Sequence, residues 1–175
     1  MVKKIYLIAI SMMVLIQSVF SAEEGSLLSD GFKEIIDKEI SFQWKVEGED
    51  LLIRLSAPTE GWVAVGFNPS RVMKDADYKL AYVKDGEVVM EDHFGTSLFG
   101  HKEDTTLDGS NDFEVTEGKE EGGITSVIFS IPLNSGDEND TILAEGDEVK
   151  VLLAFGTRDN LSQKHKERTS VVITL

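Results

Sequence analysis

At 175 residues the chain suits one domain, and its 32 acidic residues against 17 basic ones give a net charge of −15. So acidic a chain is repelled by nucleic acid and by anionic membrane surfaces, which removes both as partners. The absence of cysteine excludes disulfides, thiolate metal centres, lipid attachment through cysteine and c-type haem.

The chain opens with the basic start Lys3-Lys4, an apolar run from Ile5 to Ile16 and an exit of small residues, Val19-Phe20-Ser21. This describes a secretory signal peptide over residues 1–21, with cleavage after Ser21 or after Ala22, and a secreted or periplasmic protein. The run is shorter than the ~20 apolar residues of a membrane-spanning helix, so no stable membrane insertion is expected after cleavage. Cleavage after Ser21 removes Lys3 and Lys4 and moves the net charge from −15 to −17. Residues 22–30 read as a flexible N-terminal segment.

From residue 31 to residue 175 the pattern is that of strands. Apolar residues alternate through Ile40, Phe42, Trp44 and Val46, and again through Leu51, Ile53 and Leu55, with Glu47-Gly48-Glu49-Asp50 as the turn between. Trp62 to Phe67 reads as a buried strand. Tyr78–Val83 and Glu87–Phe94 form a hairpin across Asp85-Gly86, a pair suited to the positive φ of a tight turn. Residues 95–112 read as a long polar loop. Phe113–Val115 and Thr125–Ile131 are strands around a charged turn at 117–123. After an acidic loop at 132–146, Val149–Phe155 and Thr169–Leu175 complete the set. Helical periodicity is absent beyond the apolar start, apart from one turn expected at 69–73. Nine short strands with regular turns predict an all-β fold, a single antiparallel immunoglobulin-like β-sandwich.

Two residues stand out against this background. Met73 sits in a polar loop between Arg71 and Asp75, where a thioether either plugs the top of the core or serves as a soft metal ligand. His165 stands between Lys164 and Lys166, just before the last strand. Methionine and histidine together form one of the axial pairs that hold haem iron and raise its potential.

The ordered set of segments resembles the DOMON family, which includes haem-binding cytochrome domains. Phe42-Gln43-Trp44 with Leu51–Leu55, Gly61–Phe67 followed by Met73–Asp77, Asp85-Gly86 with Asp92, Asp108–Asp112, Thr125–Phe129, Pro132-Leu133, Asp137–Asp140, Val151–Gly156 and His165–Arg168 carry the resemblance. It implies a b-type haem in a pocket at one end of the sandwich, with Met73 and His165 as metal ligands. The cofactor-binding residues it implies are Met73, His165, Trp62, Phe67, Arg71, Lys166 and Arg168, the cationic ones as salt partners for the propionates. His101 is the reserve ligand, and a lysine beside His165 is another. The implied function is one-electron transfer without catalysis, to a separate redox protein, for which the acidic surface suggests a basic docking surface. Its alternative is a haem-free module binding a carbohydrate or another small ligand; a haem carrier ranks third.

The remaining candidates have plainer readings. His93 is expected at the surface or rim. Met90, Trp44 and Trp62 are expected in the sandwich core. Asp108–Asp112 and Asp137–Asp140 raise the question of calcium. Neither fits an EF-hand, since Lys119 stands at the twelfth position of the first and Ile142 at the sixth of the second; turn formation explains both loops more simply than the alternative, an irregular carboxylate site.

Overall fold

The computed structural model describes residues 25–175; the signal peptide expected over residues 1–21 lies outside the described residues. Twelve strands form two six-stranded antiparallel sheets. The first sheet comprises β1 (Ser26–Leu27), β2 (Lys33–Asp37), β3 (Ile40–Glu47), β4 (Asp50–Ala57), β10 (Ile124–Pro132) and β9 (Glu114–Glu121), in that spatial order. The second comprises β12 (Glu167–Thr174), β11 (Glu148–Phe155), β5 (Val63–Phe67), β6 (Asp77–Lys84), β7 (Glu87–Ser97) and β8 (Gly100–Glu103). No helix among the described residues is long and apolar enough to cross a membrane.

Strand alternation builds the core. Phe42, Trp44, Ile53, Leu55, Val127 and Phe129 point inward from the first sheet, and Val63, Val65, Phe67, Val151, Leu153 and Ile173 meet them from the second. All of these are essentially inaccessible to water. Each such side chain contributes about 1.5–3 kcal/mol on burial, which lets the fold do without disulfides.

The structure adds detail that composition hid. Residues 25–30 are not wholly loose: Ser26 and Leu27 pair with Glu34 and Lys33 of β2. The charged segment expected to turn at 117–123 is mostly strand β9, and only Gly122 and Gly123 adopt positive φ. The polar loop 95–112 holds β8 and a 3₁₀ turn at Asp104–Leu107, while the helical turn expected at 69–73 does not form.

Candidate functional site

The outer face of the second sheet is apolar where its middle strands lie side by side. Ala64 on β5, Tyr78 and Leu80 on β6, and Leu152 and Ala154 on β11 form a second cluster with Trp62, Met73, Ala76 and Leu161. Two loops cover it from opposite ends. Residues 68–76 leave β5 at Phe67, whereas residues 156–166 leave β11 at Phe155, which pairs with Val63 at the far end of β5. Between them opens a cleft of about 360 Å³, lined by Val72, Met73, Tyr78, Leu152, His165 and Arg168 among others.

Glycines set the depth of this site. A side chain at Gly66 would lie 2.4 Å from the Tyr78 ring, and one at Gly156 would lie 2.1 Å from Trp62 Nε1. A side chain at Gly95 would come within 1.9 Å of the Met73 carbonyl. Instead, Asp75 donates to the Gly95 carbonyl at 2.7 Å and Gly95 donates to the Ala76 carbonyl at 2.8 Å, which stitches the Met73 loop onto β7. The loop is tightly folded: Asn68, Val72 and Asp75 all take positive φ, and Val72 does so at 56°. For a β-branched residue that conformation costs about 1–3 kcal/mol, so strain is stored beside Met73.

The cleft is positively framed in an acidic protein, with Lys150 and Arg168 in its lining beside His165. Burial, and then the charges of Arg168 and Lys164, pull the His165 imidazole below the ordinary histidine range. It is therefore neutral near pH 7, the form that ligates a metal. Burial pushes the Tyr78 hydroxyl well above the usual phenol range, and that hydroxyl donates to the Met73 carbonyl at 3.5 Å. Trp62 Nε1 and Gln163 Oε1 are buried without a hydrogen-bond partner. Neutral imidazole, thioether, apolar floor and cationic lining fit a flat, apolar, carboxylate-bearing metal complex.

The predicted residues separate. Met73, His165 and Arg168 line one cleft; Trp62 does not line it and belongs to the outer apolar cluster rather than to the sandwich core. Phe67 does not reach the cleft: alternation along β5 turns it into the core with Val63 and Val65. Arg71 is exposed, and Lys166 lies with its ammonium 5.6 Å from the Phe155 ring; neither lines the cleft. The cleft itself lies on the outer face of a sheet, between loops from opposite ends, and not at one end of the sandwich. Tyr78, Lys150 and Leu152 went unnamed in the sequence; period-2 alternation puts Lys150 and Leu152 on one face, and the apolar run hid which face that was.

His101 is spoken for elsewhere. Its Nδ1 lies 2.8 Å from His93 Nδ1, and His93 Nε2 lies 2.8 Å from Glu91 Oε2. The His101 ring packs against Tyr78, with centroids 5.5 Å apart. Burial, then the charge of His93, lowers His101 to about 4. His93, expected at the surface, is only 9% exposed, because β8 and its partner imidazole cover it.

Comparison with known proteins is consistent with this architecture. Residues 36–156 match the family model described as DOMON domain. DBH-like monooxygenase protein 1 of Mus musculus is 28% identical over 123 residues, covering 69% of this chain and 19% of that protein. The Homo sapiens protein of the same name is 25% identical over 141 residues, covering 79% and 22%. MOXD1 homolog 2 of Drosophila melanogaster is 23% identical, covering 71% and 16%. The chain thus spans about a fifth of the length of these relatives. Among solved structures, the cytochrome b domain of pyranose dehydrogenase from Coprinopsis cinerea aligns with a TM-score of 0.63 at 10% identity, over 82% of this chain and 81% of that one. The cytochrome domain of Myriococcum thermophilum cellobiose dehydrogenase aligns at 0.53 with 12% identity, over 82% and 83%. At such identities the likeness is one of fold.

Proposed function

The chain belongs to the DOMON domain family, and from that premise we propose that it is an exported, non-catalytic b-type haem domain that carries single electrons between redox partners. One observation carries the reading: Met73 and His165, far apart in sequence and on loops from opposite ends of a sheet, line the same apolar cleft. The likeness in fold to cytochrome b domains supports it.

Met73 and His165 would hold the haem, and with a thioether and an imidazole as ligands it would supply reversible one-electron chemistry at a raised potential, suited to transfer more than to oxygen activation. The protein's own part is binding and exclusion. His165 offers a neutral ring nitrogen, and Met73 offers sulfur from a loop braced on Gly95. Leu152, Ala154 and Tyr78 keep water from the floor. Arg168 and Lys150 offer positive charge to propionates. The surrounding acidic surface favours a separate partner with a basic docking patch, at a rate that falls as salt rises.

The test is the visible spectrum of the protein purified from haem-replete cells. Reduced protein should show the sharp bands of low-spin, six-coordinate iron. Met73→Ala should give high-spin iron that binds carbon monoxide and has a lower potential, and His165→Ala should lose most of the haem. A colourless protein that takes up no added haem overturns the reading and favours a haem-free module binding a carbohydrate or another small ligand.

A further inference from the structure

Where Phe67 meets Asp77, the loops at that end of the sandwich gather two groups of carboxylates that differ in how their charge is met. Asp77, Asp92 and Asp140 converge on the Lys79 ammonium at 2.6, 2.6 and 3.1 Å. Lys79 is 2% exposed. Burial opposes its charge, but the three carboxylates outweigh that and hold it protonated. This trio already contains its cation.

Asp104 has no such partner. It opens the 3₁₀ turn after β8, is 1% exposed, and neither of its carboxylate oxygens has a hydrogen-bond partner. Burial, and then the negative charges of Asp137 and Asp140, raise its carboxyl to about 6. A buried anion with all its lone pairs unmet is among the costliest arrangements a fold can hold.

The surroundings say what would meet it. A side chain at Gly109 would lie 2.4 Å from Asp104 Oδ2 and 2.8 Å from Asn139 Nδ2, so glycine there lets the Asp104 carboxylate and the Asn139 carboxamide, from different loops, come close to each other. Rotating the Asn139 amide by half a turn puts its oxygen there instead of its nitrogen. Asp137 ties the same two loops: its Oδ2 accepts from Ser110 N at 2.8 Å, and its Oδ1 accepts from Asn139 N at 2.8 Å. Asp137 and Asn139, with Asp108 and Ser110, also line a polar cleft of about 510 Å³.

We propose that Asp104, with Asn139 and Asp137, forms a calcium site that clamps the 104–112 loop to the 133–147 loop. The donors are all oxygen, which selects a hard cation over zinc or copper. Their irregular disposition on two loops suits calcium, which accepts six to eight oxygens and bidentate carboxylates, better than the strict octahedron of magnesium. This site differs from an EF-hand, whose spacing neither loop has, and does not depend on haem.

The experiment uses the protein freed of divalent ions with EGTA, then titrated with calcium chloride or magnesium chloride. Millimolar calcium should raise the melting temperature by about 5 °C, and magnesium far less. Asp104→Asn removes a buried charge at constant shape, so it should melt no lower than the parent in EGTA yet gain nothing from calcium. Asn139→Ala, further from the packed interior, should weaken calcium binding at least tenfold by calorimetry. A parent protein unmoved by millimolar calcium, an Asp104→Asn variant stabilised as much as the parent, or an Asn139→Ala variant of unchanged affinity would each overturn the proposal.

Discussion

The outer faces of the two sheets are built by the same alternation and finished in opposite ways. On the first sheet, Ser41, Gln43, Arg54, Ser126 and Ser130 point outward and are partly exposed. Neighbouring carboxylates satisfy several of them: Gln43 and Ser41 donate to Glu34 at 2.7 and 2.9 Å, and Arg54 donates to Asp30 at 2.7 Å. That face is complete as it stands. On the second sheet the outward residues are Ala64, Gly66, Leu80, Leu152 and Ala154, and a face of that composition must be covered. Two loops cover it incompletely, and the gap between them is the cleft. Function in this fold is therefore placed where the pattern fails to become polar.

This contrast can be broken most directly by charge. Leu80→Asp on the second sheet, at 3% exposure beneath the loops, buries an unpaired carboxylate and should cost about 3–5 kcal/mol in denaturant unfolding. Ile128→Asp on the first sheet's outer face stands opposite Arg54 and should cost less than about 1 kcal/mol. Equal costs would mean that the two faces are equivalent after all. Gly95→Ala tests the cover rather than the floor: the added carbon collides with the Met73 carbonyl, so about 1–3 kcal/mol and much of the haem affinity should be lost together. If stability drops and haem binding does not, the Met73 loop is not what closes the cleft.

The last effect is one of pH. The folded chain holds His101 at about 4, whereas the unfolded chain titrates near the ordinary ~6.5. Between those values the unfolded state binds the extra proton, so stability falls as pH drops from about 6.5 toward 4. Relative to His101→Gln, the parent should lose about 1–2 kcal/mol over that window, measured as the difference between two unfolding midpoints. A constant difference would mean that His101 titrates freely.

Much of this was legible. The strands of the core announce themselves by alternation, as in Ile40–Val46 and Leu51–Leu55, because one wet face leaves a period of two. The sheet that carries the cleft is harder to read. Trp62-Val63-Ala64-Val65-Gly66-Phe67 is apolar on both sides, so sequence shows that the strand is buried but not which side chains face the core. The resemblance named both Phe67 and Trp62 for the cofactor, and the strand itself could not say which way they face: Phe67 lies in the core, whereas Trp62, read also as a core residue, belongs to the outer apolar cluster. Met73 and His165 were legible as chemistry, a thioether and an imidazole in polar loops. Their arrival in one cleft depends on long-range pairing, β11 against β5, which local sequence does not encode. Lys79 was illegible for a different reason. A lysine inside an apolar strand reads as an outward residue, and only the distant Asp140 turns it into the centre of a buried ion group.

Strand β9 has a bearing on the protein's life in concentrated solution. It forms one border of the first sheet, and among the described residues no strand pairs with its outer hydrogen-bonding edge. Its residues Glu114, Glu117, Glu120 and Glu121 are exposed along nearly its whole length. Two copies meeting edge to edge would oppose rows of like charge, which discourages the sheet from growing into a second molecule. That guard works only while the molecule as a whole is an anion. Near the isoelectric pH of about 4.5 its net charge vanishes, and the same border becomes a place where copies can join.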